Sequence, residues 1–257
     1  MKKNNLKEVL KEGKNVFGPF MKFTDPAAVE IMGFAGFDFV IIDAEHGPIS
    51  MQNAQNMIRS AETANITPII RVASNDEALI LRALDIGAQG IEIPQINIKS
   101  QAIKAVKSVK YSPQGERGVC RYVRAANYSS MDKFEYFKSA NNETMIIAHI
   151  EGVEGINNLD EILSVPGIDV IFVGPYDLSQ SLSIPGEVNN PLVTEKMKEV
   201  VLKCRENKVA VGTFVDDVKT AKFWVSLGVQ YMSFSVDVGI LYEASKQIVK
   251  KFKNNRK

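Results

Sequence analysis

The stretch FVIIDAEHGP, residues 39–48, decides the fold because a wholly apolar run ends abruptly in polar residues. Its first four residues are apolar at successive positions and not at alternate ones, as expected of a parallel strand buried on both faces. Asp43, Glu45 and His46 follow directly. Because chemistry in parallel α/β folds gathers at the carboxyl ends of strands, this segment predicts a buried strand and one wall of a functional site.

The same pattern recurs along the chain, with strand-like runs alternating with longer amphipathic segments. About eight such units in 257 residues predict a (β/α)8 TIM barrel, an α/β fold, formed as one domain over residues 1–257. An open doubly wound sheet is the competing arrangement, but no G-x-G-x-x-G follows the first strand, so dinucleotide binding gains no support. The predicted strands are residues 16–20, 39–42, 68–72, 90–93, 145–150, 170–173, 210–213 and 231–235; the predicted helices include residues 51–64, 76–84, 98–106, 192–206, 218–227 and 239–253.

Composition and charge argue against several other classes of protein. The chain has 31 Lys and Arg against 30 Asp and Glu, a formal charge of +1, so nucleic acid is not an expected partner. No apolar run approaches the roughly 20 residues that span a bilayer, so no membrane association is expected. The two cysteines, Cys120 and Cys204, lie far apart, and residues 1–10 show no signal-peptide pattern. We therefore expect neither a disulfide scaffold nor a cysteine zinc cluster, and a cytoplasmic location.

Polar residues follow the other predicted strands in the same way. Since the carboxyl ends of parallel strands meet at one rim of a barrel, the chain's two histidines, His46 and His149, fall on that rim. Structural interpretations exist for single residues: Asp177 could cap the next helix, and Arg71 could merely pair with carboxylates. His46 could lie on a surface loop, and His149 could be a hydrogen-bonded core residue. All four structural interpretations would have to be correct at once, so a functional site at this rim is the favoured interpretation. The rim residues predicted to contact substrate are Asp43, Glu45, His149, Gly174, Pro175 and Tyr176.

The rim residues suit a specific chemistry. Glu151 and Asp177 on neighbouring strands offer two hard oxygen ligands, which suit Mg²⁺ or Mn²⁺ better than zinc. A 2-oxo acid chelates such an ion through its keto and carboxylate oxygens, and the ion then polarises the carbonyl. Arg71 would place positive charge beside the enolate oxygen. His46 is the expected proton-transfer group because its ordinary pKa lies near neutral pH, and Asp85 could orient its ring.

At these residues the sequence resembles the HpcH/HpaI aldolase family, the metal-dependent class II pyruvate aldolases. The resemblance covers nearly the whole chain, and the order and spacing of its motifs are together highly specific. The motifs are FDFVIIDAEH at residues 37–46, Arg71 on the third strand, ALDIGA at 83–88, YSPQGERG at 111–118, Ile150-Glu151, and VGPYDLS at 173–179.

The resemblance implies a reversible retro-aldol cleavage of a 4-hydroxy-2-oxo acid to pyruvate and an aldehyde. It implies Glu151 and Asp177 as ligands of Mg²⁺ or Mn²⁺, with Co²⁺ as a further candidate. His46 is implied as the acid/base, paired with Asp85, and Arg71 as the residue that stabilises the enolate. The pyruvate carboxylate would rest on backbone amides near Tyr176 and Asp177. The last helix would be swapped with a neighbour, commonly in a hexamer built as a trimer of dimers.

Two departures from the family bear on the substrate. Many relatives carry Gln where this chain has His149, which could contact substrate, add a metal ligand or change the accepted substrate. The segment after Gly118 reads VCRYVR instead of small residues. We expect the irregular residues 111–130 to cover the barrel mouth, where Arg121 would favour an acceptor with a second carboxylate.

Three other functions stay open at this stage. A metal-independent, citrate-synthase-like condensation of oxaloacetate with an acyl-thioester is the main alternative, since Arg121, Arg124 and His149 are compatible with it. A Schiff-base aldolase would need a lysine at a strand end, and Lys22 is the only one placed there. The third alternative is a barrel that binds a ligand without catalysis, although both acids expected to bind metal, Glu151 and Asp177, are present.

Overall fold

Eight parallel strands close into a barrel in a computed structural model that describes residues 2–254. Each strand pairs with the next in sequence, and the last pairs with the first, so the predicted (β/α)8 barrel is confirmed. Met1 and residues 255–257, the ends of the predicted domain, lie outside the described residues. The strands are β1 Val16–Met21, β2 Phe39–Asp43, β3 Thr67–Arg71, β4 Gly90–Ile93, β5 Met145–Ile150, β6 Val170–Val173, β7 Ala210–Val215 and β8 Tyr231–Val236.

Helices connect the strands, and short polar side chains fix where several of them begin. The Asp76 carboxylate accepts hydrogen bonds from the Ala78 and Leu79 amides at 2.9 and 3.0 Å, and so satisfies donors that a helix start leaves free. A 3₁₀ segment, Arg124–Ser129, lies between the fifth and sixth helices. The helices are α1 Asn5–Lys11, α2 Pro26–Ala35, α3 Met51–Thr63, α4 Glu77–Asp85, α5 Lys99–Val109, α6 Lys133–Glu143, α7 Val153–Asn157, α8 Leu159–Leu163, α9 Pro175–Ser181, α10 Pro191–Glu206, α11 Val218–Leu227 and α12 Asp237–Asn254.

The strands bury apolar side chains on both faces, which explains their continuous apolar runs. In β2, Phe39 and Ile41 join the cluster inside the barrel, whereas Val40 and Ile42 join the layer beneath the helices. Leu6 and Leu10 of α1 belong to the inner cluster as well. The packed interior leaves polar chemistry to the carboxyl ends of the strands.

The irregular residues 111–130 lie at the amino end of the barrel, so our expectation that they cover the mouth is wrong. Helices of a βα barrel run antiparallel to the strands, and the C-termini of α3 and α4 therefore lie at that end. Arg117 donates to Asp85 at the end of α4 over 2.7 Å, and Arg124 donates to the Ile86 carbonyl over 3.1 Å. Arg124 also pairs with Glu62 near the end of α3.

The last helix, α12, contacts the barrel mainly through the ends of β1 and β8. The described side chains of residues 241–253 are exposed, among them Leu241, Tyr242 and Ile248. A swap of this helix with a neighbouring chain stays a prediction. Among residues 2–254, no helix combines the length and apolar character needed to cross a membrane.

Candidate active site

A cavity of about 320 Å³ opens at the carboxyl ends of the strands and collects most of the predicted rim residues. A larger cavity, of about 510 Å³, lies at the amino end beside Arg59 and Arg124 and contains none of them. The smaller cavity is therefore the candidate active site. Its lining consists of Phe20, Lys22, Asp43, His46, Arg71, His149, Glu151, Phe172, Gly174, Pro175, Tyr176, Asp177, Phe214, Asp216 and Val236.

Arg71 is held in this cavity by Asp43, its partner in the pairing of β2 with β3. The guanidinium donates from Nε to Oδ1 over 3.0 Å and from Nη2 to Oδ2 over 2.8 Å. The ring of Phe20 lies 4.4 Å from the guanidinium carbon. Burial alone would raise the pKa of Asp43, but the hydrogen bonds and charge of Arg71 outweigh it and lower that pKa. Arg71 thus presents a fixed positive charge to the cavity.

Asp43 also shapes the turn that carries His46. Its Oδ1 accepts hydrogen bonds from the amides of Glu45 at 3.2 Å and His46 at 3.1 Å. The His46 side chain is 64% exposed, and its Nε2 lies 3.8 Å from a Glu45 oxygen. Glu45 in turn lies 3.3 Å from Arg71, and burial raises the pKa of its carboxyl group. His46 can therefore reach both solvent and a ligand in the cavity.

Glu151 and Asp177 face the same point, next to Gly174. A Cβ atom on Gly174 would stand 3.3 Å from Asp177 Oδ2 and 3.8 Å from Glu151 Oε1, so the absent side chain leaves the space between them open. Burial, followed by the charge of Glu151, raises the pKa of Asp177. Gly174, and not Asp177, occupies the N-cap of α9, which removes capping as an explanation for Asp177. Carboxylate oxygens on two sides of one gap are the donor type that a hard cation prefers.

His149 is a buried member of a hydrogen-bonded chain behind Glu151. Its Nδ1 lies 3.1 Å from Glu151 Oε1 and its Nε2 lies 3.1 Å from Glu92 Oε2, while the Tyr231 hydroxyl donates to Glu92 Oε1 over 2.8 Å. Burial alone would lower the pKa of His149, but the two carboxylates outweigh it and raise the pKa to about 9. Both oxygens of Glu151 are engaged, since Oε2 accepts from the Gln95 amide at 3.0 Å. His149 is thus both a satisfied core residue and a part of the cavity wall.

Comparison with known proteins identifies the family. The family described as HpcH/HpaI aldolase/citrate lyase matches residues 17–244. The chain belongs to this family. It is 32% identical to a hydroxypyruvate/pyruvate aldolase of Roseobacter denitrificans over 97% of both chains. It is 29% identical to a 4-hydroxy-2-oxo-heptane-1,7-dioate aldolase of Escherichia coli, over 97% of this chain and 95% of that one. The solved structure of the citrate synthase SbnG superposes with a TM-score of 0.88 at 31% identity, covering 98% of this chain and 99% of that one.

Sequence reasoning missed several residues of this HpcH/HpaI family site. Glu92 was detectable, because a carboxylate inside the apolar strand β4 needs a buried partner. Tyr231 gave no signal, since a tyrosine in a strand is ordinary. Asp216 accepts a hydrogen bond of 2.7 Å from the Tyr176 hydroxyl and raises the pKa of Tyr176 to about 12. The remaining missed residues form an aromatic and aliphatic wall, Phe20, Phe172, Phe214 and Val236.

Two site predictions for this family member need correction within the single chain. Asp85 does not pair with His46, because it ends α4 at the amino end of the barrel and its carboxylate bonds to Arg117. Arg121 is exposed at the surface, donates to the Tyr122 hydroxyl over 2.9 Å, and does not line the cavity. The direction of α4 accounts for the first error, and the position of residues 111–130 at the amino end accounts for the second.

Proposed function

We propose that the protein is a divalent-metal pyruvate aldolase, which cleaves 4-hydroxy-2-oxo acids reversibly to pyruvate and an aldehyde. The observation that best supports this proposal is that one cavity contains the guanidinium of Arg71 and, beside Gly174, the carboxylates of Glu151 and Asp177. Its relatives at about 30% identity include a hydroxypyruvate/pyruvate aldolase and a 4-hydroxy-2-oxo-heptane-1,7-dioate aldolase. Carbon–carbon lyase chemistry is therefore the activity that both the site and the relatives support.

Glu151 and Asp177 are the residues that would hold the metal. The hydrogen bond and charge of His149 overcome the effect of burial and lower the pKa of Glu151, so this carboxylate is ionised and ready to bind a cation. Asp177 lies beside it and would lose its repulsion from Glu151 when a cation is present. Mg²⁺, Mn²⁺ or Co²⁺ in this gap would supply Lewis-acid polarisation of the substrate carbonyl.

Arg71 supplies positive charge where the enolate oxygen develops. Its side chain is 12% exposed, and Asp43 and Phe20 fix it from two sides before substrate arrives. A donor that is already oriented needs no reorganisation during the reaction, which is why such groups contribute strongly to rate. Asp43 and Glu45 act here by holding Arg71 and the His46 turn.

His46 is the residue that we assign to proton transfer. In the cleavage direction it would accept the proton of the substrate's 4-hydroxyl as the bond between C3 and C4 breaks, and in condensation it would return that proton. The amides of Tyr176 and Asp177 lie in the first turn of α9, where N–H groups have no partner within the helix. They would donate hydrogen bonds to the pyruvate carboxylate, with Gly174 and Pro175 setting their position.

A citrate-synthase-like condensation is the second candidate. It is favoured by the similarity to the citrate synthase SbnG and by His149, whose raised pKa and contact with Glu151 would supply a proton donor at the cavity wall. In that reaction oxaloacetate and an acyl-thioester would be consumed without a metal. Consumption of acetyl-CoA with oxaloacetate in excess chelator would establish it in place of the aldolase.

The deciding experiment screens 4-hydroxy-2-oxo acids for pyruvate release, with and without chelator. We expect release that a chelator abolishes and Mg²⁺, Mn²⁺ or Co²⁺ restores, and full activity in excess chelator would refute the metal mechanism. Borohydride with pyruvate tests the imine route through Lys22. We expect no adduct, because a Schiff-base lysine needs an apolar or cationic setting that lowers its pKa. The Lys22 ammonium instead lies 3.9 Å from the Asp43 carboxylate.

We further propose that the protein assembles into an oligomer, a hexamer being the form that the family resemblance implies. Exposed apolar side chains on α12, including Leu241 and Ile248, support it, as do Ile31 and Phe34 on the outer face of α2. Sedimentation of the full chain tests this, with a monomer as the contradicting result.

A further inference from the structure

Gln95, two residues after the end of β4, has a left-handed backbone conformation with a φ of 56°. Residues other than glycine adopt this conformation rarely, because the Cβ atom crowds the backbone. Three other left-handed residues, Asn65, Ser183 and Lys208, come directly after the C-caps of α3, α9 and α10, where helices commonly end in this way. Gln95 follows a strand, so no helix end explains its conformation.

The turn at Gln95 directs two successive backbone amides toward the end of β5. Pro94 has no N–H group, so Gln95 and Ile96 supply the first two backbone donors after β4. The Gln95 amide donates to Glu151 Oε2 over 3.0 Å, and the Ile96 amide donates to the His149 carbonyl over 2.9 Å. The turn therefore holds both the backbone of β5 and the carboxylate that follows it.

The Glu151 carboxylate thus has a partner at each of its two oxygens. His149 Nδ1 lies 3.1 Å from Oε1, on the side opposite to the oxygen that Gln95 engages. The carboxylate cannot rotate without losing one of these contacts. A backbone donor is also fixed by the chain itself, whereas a side-chain donor can change its rotamer. Such hydrogen bonds orient the carboxylates that bind metal ions and influence their affinity.

We propose that Gln95 is a positioning residue, whose left-handed backbone holds the Glu151 carboxylate in the orientation that binds the cation. The amide and the φ angle of residue 95 perform this role, and its exposed side chain has no part in it. The cation-binding part of this assignment rests on the proposed metal-dependent function. The contact between Gln95 and Glu151 can be tested in the metal-free protein.

Amide hydrogen exchange of the metal-free full chain, measured at residue resolution, tests this contact. Glu151→Ala should raise the exchange rate of the Gln95 amide about tenfold, as expected for the loss of one hydrogen bond to a charged acceptor. The Ile96 amide is the internal control, because it bonds to the His149 carbonyl and should exchange at the parental rate. Equal rates for the Gln95 amide in Glu151→Ala and in the parent protein would overturn the assignment.

Isothermal titration with Mn²⁺ tests the consequence for the cation. Gln95→Val should lower the affinity about tenfold, because a β-branched residue resists a positive φ and displaces the amide. Gln95→Gly keeps the amide and adopts this φ freely, so its affinity should stay within about twofold of the parental value. Lys208→Val is the matched control, since Lys208 has a φ of 58° in the turn between α10 and β7, at the amino end of the barrel. It should lower the urea midpoint about as much as Gln95→Val does and leave the Mn²⁺ affinity unchanged.

The two measurements separate this assignment from the proposed function. Parental Mn²⁺ affinity in folded Gln95→Val protein would overturn the positioning role, even if the enzyme is an aldolase. A tenfold loss in Gln95→Gly would also overturn it, because the side chain would then be the important group. If Mn²⁺ binds to none of the proteins but exchange of the Gln95 amide still depends on Glu151, Gln95 does hold the carboxylate and the metal-dependent function fails.

Discussion

Replacement of Arg71 by alanine should slow turnover strongly and also destabilise the fold, because the buried Asp43 carboxylate depends on the guanidinium. Asp43 is fully buried and takes two of its hydrogen bonds from this guanidinium. Removing one partner of a buried ion pair costs about 3–5 kcal/mol. The backbone amides of Glu45 and His46 remain as donors, so we expect the lower end, about 3 kcal/mol. Turnover should fall about 10²–10³-fold, the usual effect of losing a donor to a developing oxyanion.

Asp43→Asn separates these two effects in a double-mutant cycle. Alone, it should cost less than Arg71→Ala, because Arg71 keeps Glu45 at 3.3 Å. In the double variant the fully buried Asp43 carboxylate is gone and only Glu45 loses its contact with Arg71, so the free energy of unfolding should lie nearer to that of Asp43→Asn than to that of Arg71→Ala. We expect a coupling of about 2 kcal/mol between the sites, within the range for residues in contact. Urea denaturation of the four proteins measures stability, and exchange of pyruvate methyl protons measures enolisation.

Two results would refute this reasoning. Additive stability effects would show that Arg71 and Asp43 are not coupled, contrary to their contact. Recovery of enolisation in the double variant would show that Arg71 matters only because it neutralises Asp43. We expect neither: stability should return and enolisation should stay low.

Three further perturbations test other parts of the molecule. Gly174→Ala would place a Cβ 3.3 Å from Asp177 Oδ2, so Mn²⁺ affinity measured by calorimetry should fall about tenfold or more; unchanged affinity would remove this gap as the metal site. Tyr231→Phe removes a donor to the buried Glu92 carboxylate and should cost about 1–3 kcal/mol in urea denaturation, whereas a neutral change would mean that Glu92 is satisfied otherwise. Burial lowers the pKa of Lys110 from 10.5 to about 8 in the folded state, so between those values the unfolded chain binds more protons and stability should rise with pH. The rise is at most roughly 3 kcal/mol, and Lys110→Met should lose it when unfolding at pH 7.5 and pH 10 is compared with the parent protein.

The fold was predictable because its signals are local. The runs in β4, β5 and β6 were predicted with the bounds that the structure shows, since each run is short and is followed at once by Pro94, Glu151 or Gly174. The order of the strands then determines which residues meet at the rim, because successive parallel strands end side by side. Arg71 at the end of β3 therefore lies next to Asp43 at the end of β2. The other expected site residues were predicted from the motifs that resemble the HpcH/HpaI family.

The side-chain partners were less predictable because they depend on long-range packing. Asp85 was expected near His46, but the direction of α4 carries it to the other end of the barrel, where Arg117 binds it. The contact between Glu92 and Tyr231 joins residues 139 positions apart, and no local pattern specifies it. A charge inside a buried strand predicts that some partner exists without saying which one.

The distribution of partners within the cavity shows which groups remain for ligands. Arg71 and His149 are bonded to carboxylates of the chain, so their charges are in place before any substrate arrives. Three titratable side chains of the lining have no hydrogen-bonded partner in the described part of the chain, namely Lys22, His46 and Asp177. Burial and the charge of Glu151 raise the pKa of Asp177, whereas the Lys22 ammonium lies 3.9 Å from the Asp43 carboxylate. A carboxylate that faces a second carboxylate and has no hydrogen-bond donor favours a cation. The position of Asp177 beside Glu151 therefore supports the metal site that we propose there.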